Sequence, residues 1–111
     1  MKVNILGAEY TIIEQTEKQN PKMADNYGLC EQYAKKIIVY PLNLIKNEKD
    51  VVDNVEEFHK KVIRHEVIHA FFGESGLRGQ CDYAENEELI DWIAIQFPKM
   101  LKVFEELGVL E

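Results

Sequence analysis

An α+β fold is predicted by two observations: β-rich runs fill the first forty residues, and beyond Asp50 the apolar spacing lengthens from two to a helical period. A third, the 111-residue length, fits one domain over residues 1–111 with one modest core. The expected architecture is a small N-terminal antiparallel sheet, a long helix, and two further C-terminal helices.

Val3-Asn4-Ile5 and Tyr10-Thr11-Ile12-Ile13 flank Gly7, the pattern of a hairpin. The polar stretch from Gln15 to Asn26, with Asn20-Pro21 inside it, is expected to be a loop. Tyr27 to Glu31 and Lys36 to Tyr40 form a second strand pair, closed by Pro41, which has no N–H to donate to a ladder.

After a loop through Asn47-Glu48-Lys49-Asp50, Asp53 followed by Glu56 resembles a capping box. Val55, Phe58, Val62, Val67, Ile68 and Phe72 then predict an apolar helix face running about 20 residues to a stop at Gly73. A Gly-rich connection leads to a second helix from about Ala84 to Phe97, apolar on most sides and so expected to be buried. Pro98 should kink or restart the chain into a last helix, Lys99 to Leu107, closed by Gly108.

Charge narrows the function. Twenty acidic residues against 13 basic ones leave a net charge of −7, with Lys and Arg never gathered into one face. Nucleic-acid binding is therefore disfavoured, since phosphate contacts need a concentrated positive patch. The N-terminus lacks the apolar run of a signal peptide and no segment approaches a membrane span, so a cytoplasmic protein without membrane partners is expected. Cys30 and Cys81 are then expected to be reduced thiols.

His65-Glu66-Val67-Ile68-His69 carries the chemistry. Two imidazoles four residues apart lie one helical turn apart on one face, within reach of a single zinc ion. Glu66, about 100° around the helix from His65, can accept a proton from a zinc-bound water as general base. Catalytic zinc usually takes a third protein ligand, and Glu87 is the candidate, with Glu88 beside it as the alternative. Glu87 shares a face with Ile90, Ala94 and Phe97, where a buried lone carboxylate would be costly and metal ligation would offset that cost. Asp91, one turn on, is placed to accept a hydrogen bond from the outer nitrogen of a liganding histidine. Tyr83 is expected in an interface, His59 on the surface, and Asp82 and Cys81 are weaker candidate ligands.

The run His65-Glu66-Val67-Ile68-His69 followed by Asn86-Glu87-Glu88-Leu89-Ile90-Asp91 resembles the gluzincin zinc peptidases. With a short sheet ahead of it and Asp91-Trp92-Ile93-Ala94 before Phe97-Pro98, the chain is more similar to the compact minigluzincins and the ImmA/IrrE-like peptidases of bacteria and their phages. The resemblance implies a zinc metallopeptidase, with His65, His69 and Glu87 as ligands, Glu66 as base and Asp91 behind a ligand. It implies a peptide or protein substrate. No His or Tyr after Glu87 stands in for the oxyanion-stabilising group of the larger members. Two other functions therefore stay open: a non-catalytic module that docks a regulatory protein, and a zinc hydrolase of a non-peptide bond.

Overall fold

Leu6 and Gly7 both take positive φ, 52° and 93°. That two-residue turn matches strand twist and folds β1 (Lys2–Ile5) onto β2 (Ala8–Glu14) as an antiparallel hairpin with Ile5 opposite Ala8. The computed structural model describes residues 1–46 and 53–111. The loop expected at Asn47-Glu48-Lys49-Asp50 lies outside the described residues.

The connection after β2 includes a 3₁₀ turn, Pro21–Met23, capped by Asn20. It leads to β3 (Gly28–Glu31), which pairs antiparallel with β4 (Lys36–Val39). β4 then slots beside β2 and runs parallel to it, giving the order β1-β2-β4-β3. The sheet is thus mixed, not wholly antiparallel as expected. Composition explains the order: Ile37, Ile38 and Val39 are all at most 3% exposed, so this continuous apolar run is central and covered on both faces. The more polar β3 is left at the edge.

A short helix that the sequence reading lacked, α1 (Leu42–Ile45), follows Pro41 and buries Ile45 completely. α2 (Val55–Glu74) has the expected 20 residues. Its cap, however, is Asn54 and not Asp53: Asn54 sits at φ 57° and its side chain accepts from the Glu57 N–H. Asparagine tolerates left-handed backbone better than most residues. Asn54→Ala should therefore cost about 1 kcal/mol in denaturant unfolding, while Asp53→Ala should leave the midpoint nearly unchanged. Equal losses from both would refute the placement.

Gly73 does not stop α2. It is buried in the last turn, where an added Cβ would lie 2.7 Å from Gln32, and the helix runs on to Glu74, with Ser75 as its C-cap ahead of Gly76. The buried stripe of α2 is Val55, His59, Val62, Glu66, Ala70 and Gly73. It faces the sheet residues Ile5, Tyr10, Cys30, Ile37 and Val39, while Phe58, Ile63 and Val67 pack half-buried beside it. His59, expected on the surface, is 9% exposed with Nε2 3.1 Å from the Tyr40 carbonyl.

A second 3₁₀ turn, Asp82–Glu85, precedes α3 (Glu87–Leu107). Capped by Asn86, α3 starts at Glu87, three residues after Ala84, and passes Pro98 without a break. The two expected C-terminal helices are therefore one. Only Ile90 and Ala94 of α3 are fully buried, against the expectation of an enclosed helix: Trp92, Ile95 and Phe97 are 54%, 42% and 48% exposed. Among the described residues, no helix is long and apolar enough to cross a membrane.

Candidate metal centre

α2 supplies two donors from one face. The Nε2 atoms of His65 and His69 lie 3.2 Å apart, on side chains only 14% and 12% exposed. The Asn86 cap starts α3 so that Glu87 is its first residue, and there the carboxylate spans both imidazoles: Oε2 is 2.9 Å from His65 Nε2 and Oε1 2.9 Å from His69 Nε2. Tetrahedral zinc with bonds of about 2.0–2.1 Å separates its donors by about 3.3 Å. Two imidazoles and one carboxylate, with contacts close to that spacing, are a donor set that fits a catalytic zinc ion.

Glu87 reaches the histidines for a reason other than the expected one. Its side chain is 68% exposed, so no buried stripe forces it into ligation; the first turn of α3 simply ends beside His65 and His69. The close-set group of potential ligands among the described residues is His65, Glu66 and His69; Glu87 stands outside it, as do Glu88, Asp82 and Cys81, and Glu87 alone of these four reaches both histidines. Cys30 and Cys81 are both free thiols. Tyr83 is 49% exposed, with its ring 6.2 Å from that of Phe72.

Asp91 orients the first histidine. Its Oδ1 accepts from His65 Nδ1 and from Lys61 Nζ, each at 3.0 Å. Burial works against the carboxylate, but the hydrogen bonds from Lys61 and His65 prevail and hold its pKa below the ordinary value. Because an ionised carboxylate only accepts, the proton sits on Nδ1 and the Nε2 lone pair is left for a metal. Asp91→Asn should weaken zinc affinity about 10–100-fold in a chelator competition. An unchanged dissociation constant would remove Asp91 from the site.

His69 is kept neutral, since burial lowers its pKa more than the facing Glu87 raises it. Glu66 behaves differently from its neighbours. It is 8% exposed, on the sheet-facing stripe, and its carboxylate offers an oxygen within 4.8 Å of the histidine nitrogens. Burial first, and then the charge of Glu87, push its pKa up to about 7 in spite of His65. A carboxylate with that proton affinity takes up and returns a proton near neutrality.

Three of these residues, Glu66, His69 and Glu87, line one side of a cleft of about 210 Å³, with the first residues of β3 on the other. β3 approaches so closely because of Gly28, where an added Cβ would sit 2.8 Å from both Glu66 Cγ and Val62 Cγ1. Arg78 also lines the cleft. Neither Gly28 nor Arg78 was picked out in the sequence. Arg78 did carry one signal, as the only Lys or Arg between Arg64 and Lys99.

No protein-family model, curated protein or solved structure matches the chain. What the site can do therefore rests on the geometry of its own side chains.

Proposed function

We propose that this protein is a small zinc metallopeptidase of the gluzincin type, hydrolysing a peptide bond with Glu66 as general base and His65, His69 and Glu87 holding the metal. The observation that carries this reading is the convergence of two imidazoles 3.2 Å apart with a carboxylate from a second helix, one of its oxygens 2.9 Å from each ring, beside a buried carboxylate of raised proton affinity. Bound there, zinc supplies Lewis acidity toward a carbonyl oxygen and toward water.

The remaining steps belong to the chain. β3 is an edge strand paired only with β4, and its start forms a wall of the cleft. An extended peptide adds to such an edge through main-chain hydrogen bonds, which brings a carbonyl to the histidine cluster. A carboxylate oxygen of Glu66 takes a proton from water as the water oxygen bonds to the carbonyl carbon. The same oxygen returns that proton to the amide nitrogen as the C–N bond breaks, yielding a carboxylic acid and an amine. Asp91 and Lys61 keep the His65 ring from rotating meanwhile. Reduced thiols at Cys30 and Cys81 accord with a cytoplasmic location.

The test is elemental analysis of the purified protein together with cleavage of a mixed peptide pool. One zinc per chain is expected, with cleavage abolished by a chelator and restored by zinc. Zinc bound without peptide cleavage would leave a hydrolase of another bond or a docking module. No zinc bound would end the metalloenzyme reading.

A further inference from the structure

Among the described residues that line the cleft, the ionisable side chains besides His69 and the Cys30 thiol are the acids Glu66 and Glu87 and one permanent cation, Arg78. It lies on the connection between α2 and the Asp82–Glu85 turn, in a chain whose net charge is −7. The main chain at this point is fixed. The Phe72 carbonyl accepts from both the Leu77 and Arg78 N–H groups at 3.2 Å, and the Leu77 carbonyl accepts from Gln80 and Cys81.

The guanidinium, by contrast, is hardly engaged. Among the described residues its one ion pair is Nε to Glu85 Oε1 at 3.7 Å, and neither Glu66 nor Glu87 comes within ion-pair distance although both share the cleft with it. Its side chain is nevertheless only 37% exposed. It lines the same cleft as Glu66, His69 and Glu87. A planar fork of five N–H donors, held on a pinned backbone, touched by Glu85 only at Nε and set apart from Glu66 and Glu87, is matched to a carboxylate that enters from outside.

We infer that Arg78 is the specificity-determining residue of the cleft: it binds a carboxylate of the substrate, so that a peptide lying along β3 is selected for an acidic side chain or a free C-terminus near the scissile bond. This deepens the peptidase reading above and rests on it. The surrounding Glu66 and Glu87 sharpen the selection, because a carboxylate anywhere else in the cleft meets like charge. Arg78 therefore fixes both the presence and the place of the negative group.

The experiment compares four matched peptides, Glu against Gln at one position and free C-terminus against amide, titrated into zinc-loaded Glu66→Gln protein with Arg78 intact or changed to Ala, Gln or Lys. Calorimetry reads binding without turnover. With Arg78 intact, the Glu or the free-acid peptide should bind about 10–100-fold more tightly than its neutral partner, the range of a hydrogen bond to a charged group. Which pair shows the difference identifies the carboxylate. Arg78→Ala and Arg78→Gln should bring the ratio to about one, and Arg78→Lys should keep part of it, having the charge without the fork. Circular dichroism confirms that each variant is folded, and Lys and Gln serve if Ala is not.

Equal binding of charged and neutral peptides with Arg78 intact, or a preference that survives Arg78→Gln, would overturn the inference. So would steady-state kinetics in which Arg78→Gln lowers kcat alike for all four peptides, since the guanidinium would then serve the developing oxyanion. A binding preference that depends on Arg78 in a protein with no turnover would sink the hydrolase and leave the carboxylate site standing.

Discussion

Glu66→Gln is expected to lower kcat for peptide cleavage by about 10²–10⁴-fold while one zinc per chain is retained. Glutamine fills the same space against Gly28 and Val62, so the strand wall of the cleft stays in place. What it loses is the ability to take a proton. The metal-free protein should respond in the opposite sense. Glu66 has its pKa raised from 4.5 to about 7 by burial, so the folded state binds its proton more tightly than the unfolded chain does. The stability this confers is full below about pH 4.5 and is lost as pH rises through about 7. Glutamine has no such loss. Metal-free Glu66→Gln should therefore match the wild type in acid and exceed it by up to about 3 kcal/mol above neutrality. A variant that is less stable at pH 8, or that keeps full turnover, would remove Glu66 from the role of base. Lost activity together with gained stability cannot come from misfolding.

That buried carboxylate also marks how far the site was legible. Helical periodicity alone places His65 and His69 on one face, and the structure has them there. The same periodicity left the sheet-facing side of α2 ambiguous, because that side is a mixed stripe. Val55, His59, Val62, Glu66, Ala70 and Gly73 repeat at the right spacing but include a histidine, a glutamate and a glycine. Of the apolar face read from Val55, Phe58, Val62, Val67, Ile68 and Phe72, Val55 and Val62 lie on this stripe and the other four on its half-buried flank. Tertiary partners supply what hydrophobicity does not: the Tyr40 carbonyl for His59, the side chain of Gln32 for the space at Gly73.

Glu87 was found by its residue type and helix position, yet the burial argued for it is absent. A helix start moved from Ala84 to the Asn86 cap turns a stripe residue into a first-turn residue. The structure sets this carboxylate beside both histidines, for a reason other than burial. The sheet order was beyond a local pattern for a different cause. Strand alternation records which face is buried and says nothing about which neighbour pairs, so the parallel contact of β2 with β4 had no signature except the unbroken run Ile37-Ile38-Val39. Arg78 is brought to the cleft by the loop conformation, and loop conformations are not written in periodicity.

His69→Ala should abolish the thermal stabilisation that zinc gives the wild type. Metal that binds the folded chain alone adds about 4 kcal/mol when free zinc is a thousandfold above the dissociation constant, which for a domain of this size raises Tm by about 15 °C. Removing His69 leaves His65 Nε2 and Glu87, which then reaches across 2.9 Å to a single imidazole. Two donors do not fix a tetrahedral ion, so scanning calorimetry should find the same Tm with and without zinc. His59→Ala is the matching control, since His59 is held by the Tyr40 carbonyl on the sheet-facing stripe. It should lower the metal-free Tm and keep the full zinc-induced rise. The two variants thus separate a histidine that serves the fold from one that serves the ion, and the assignment fails if the rise follows His59 and not His69.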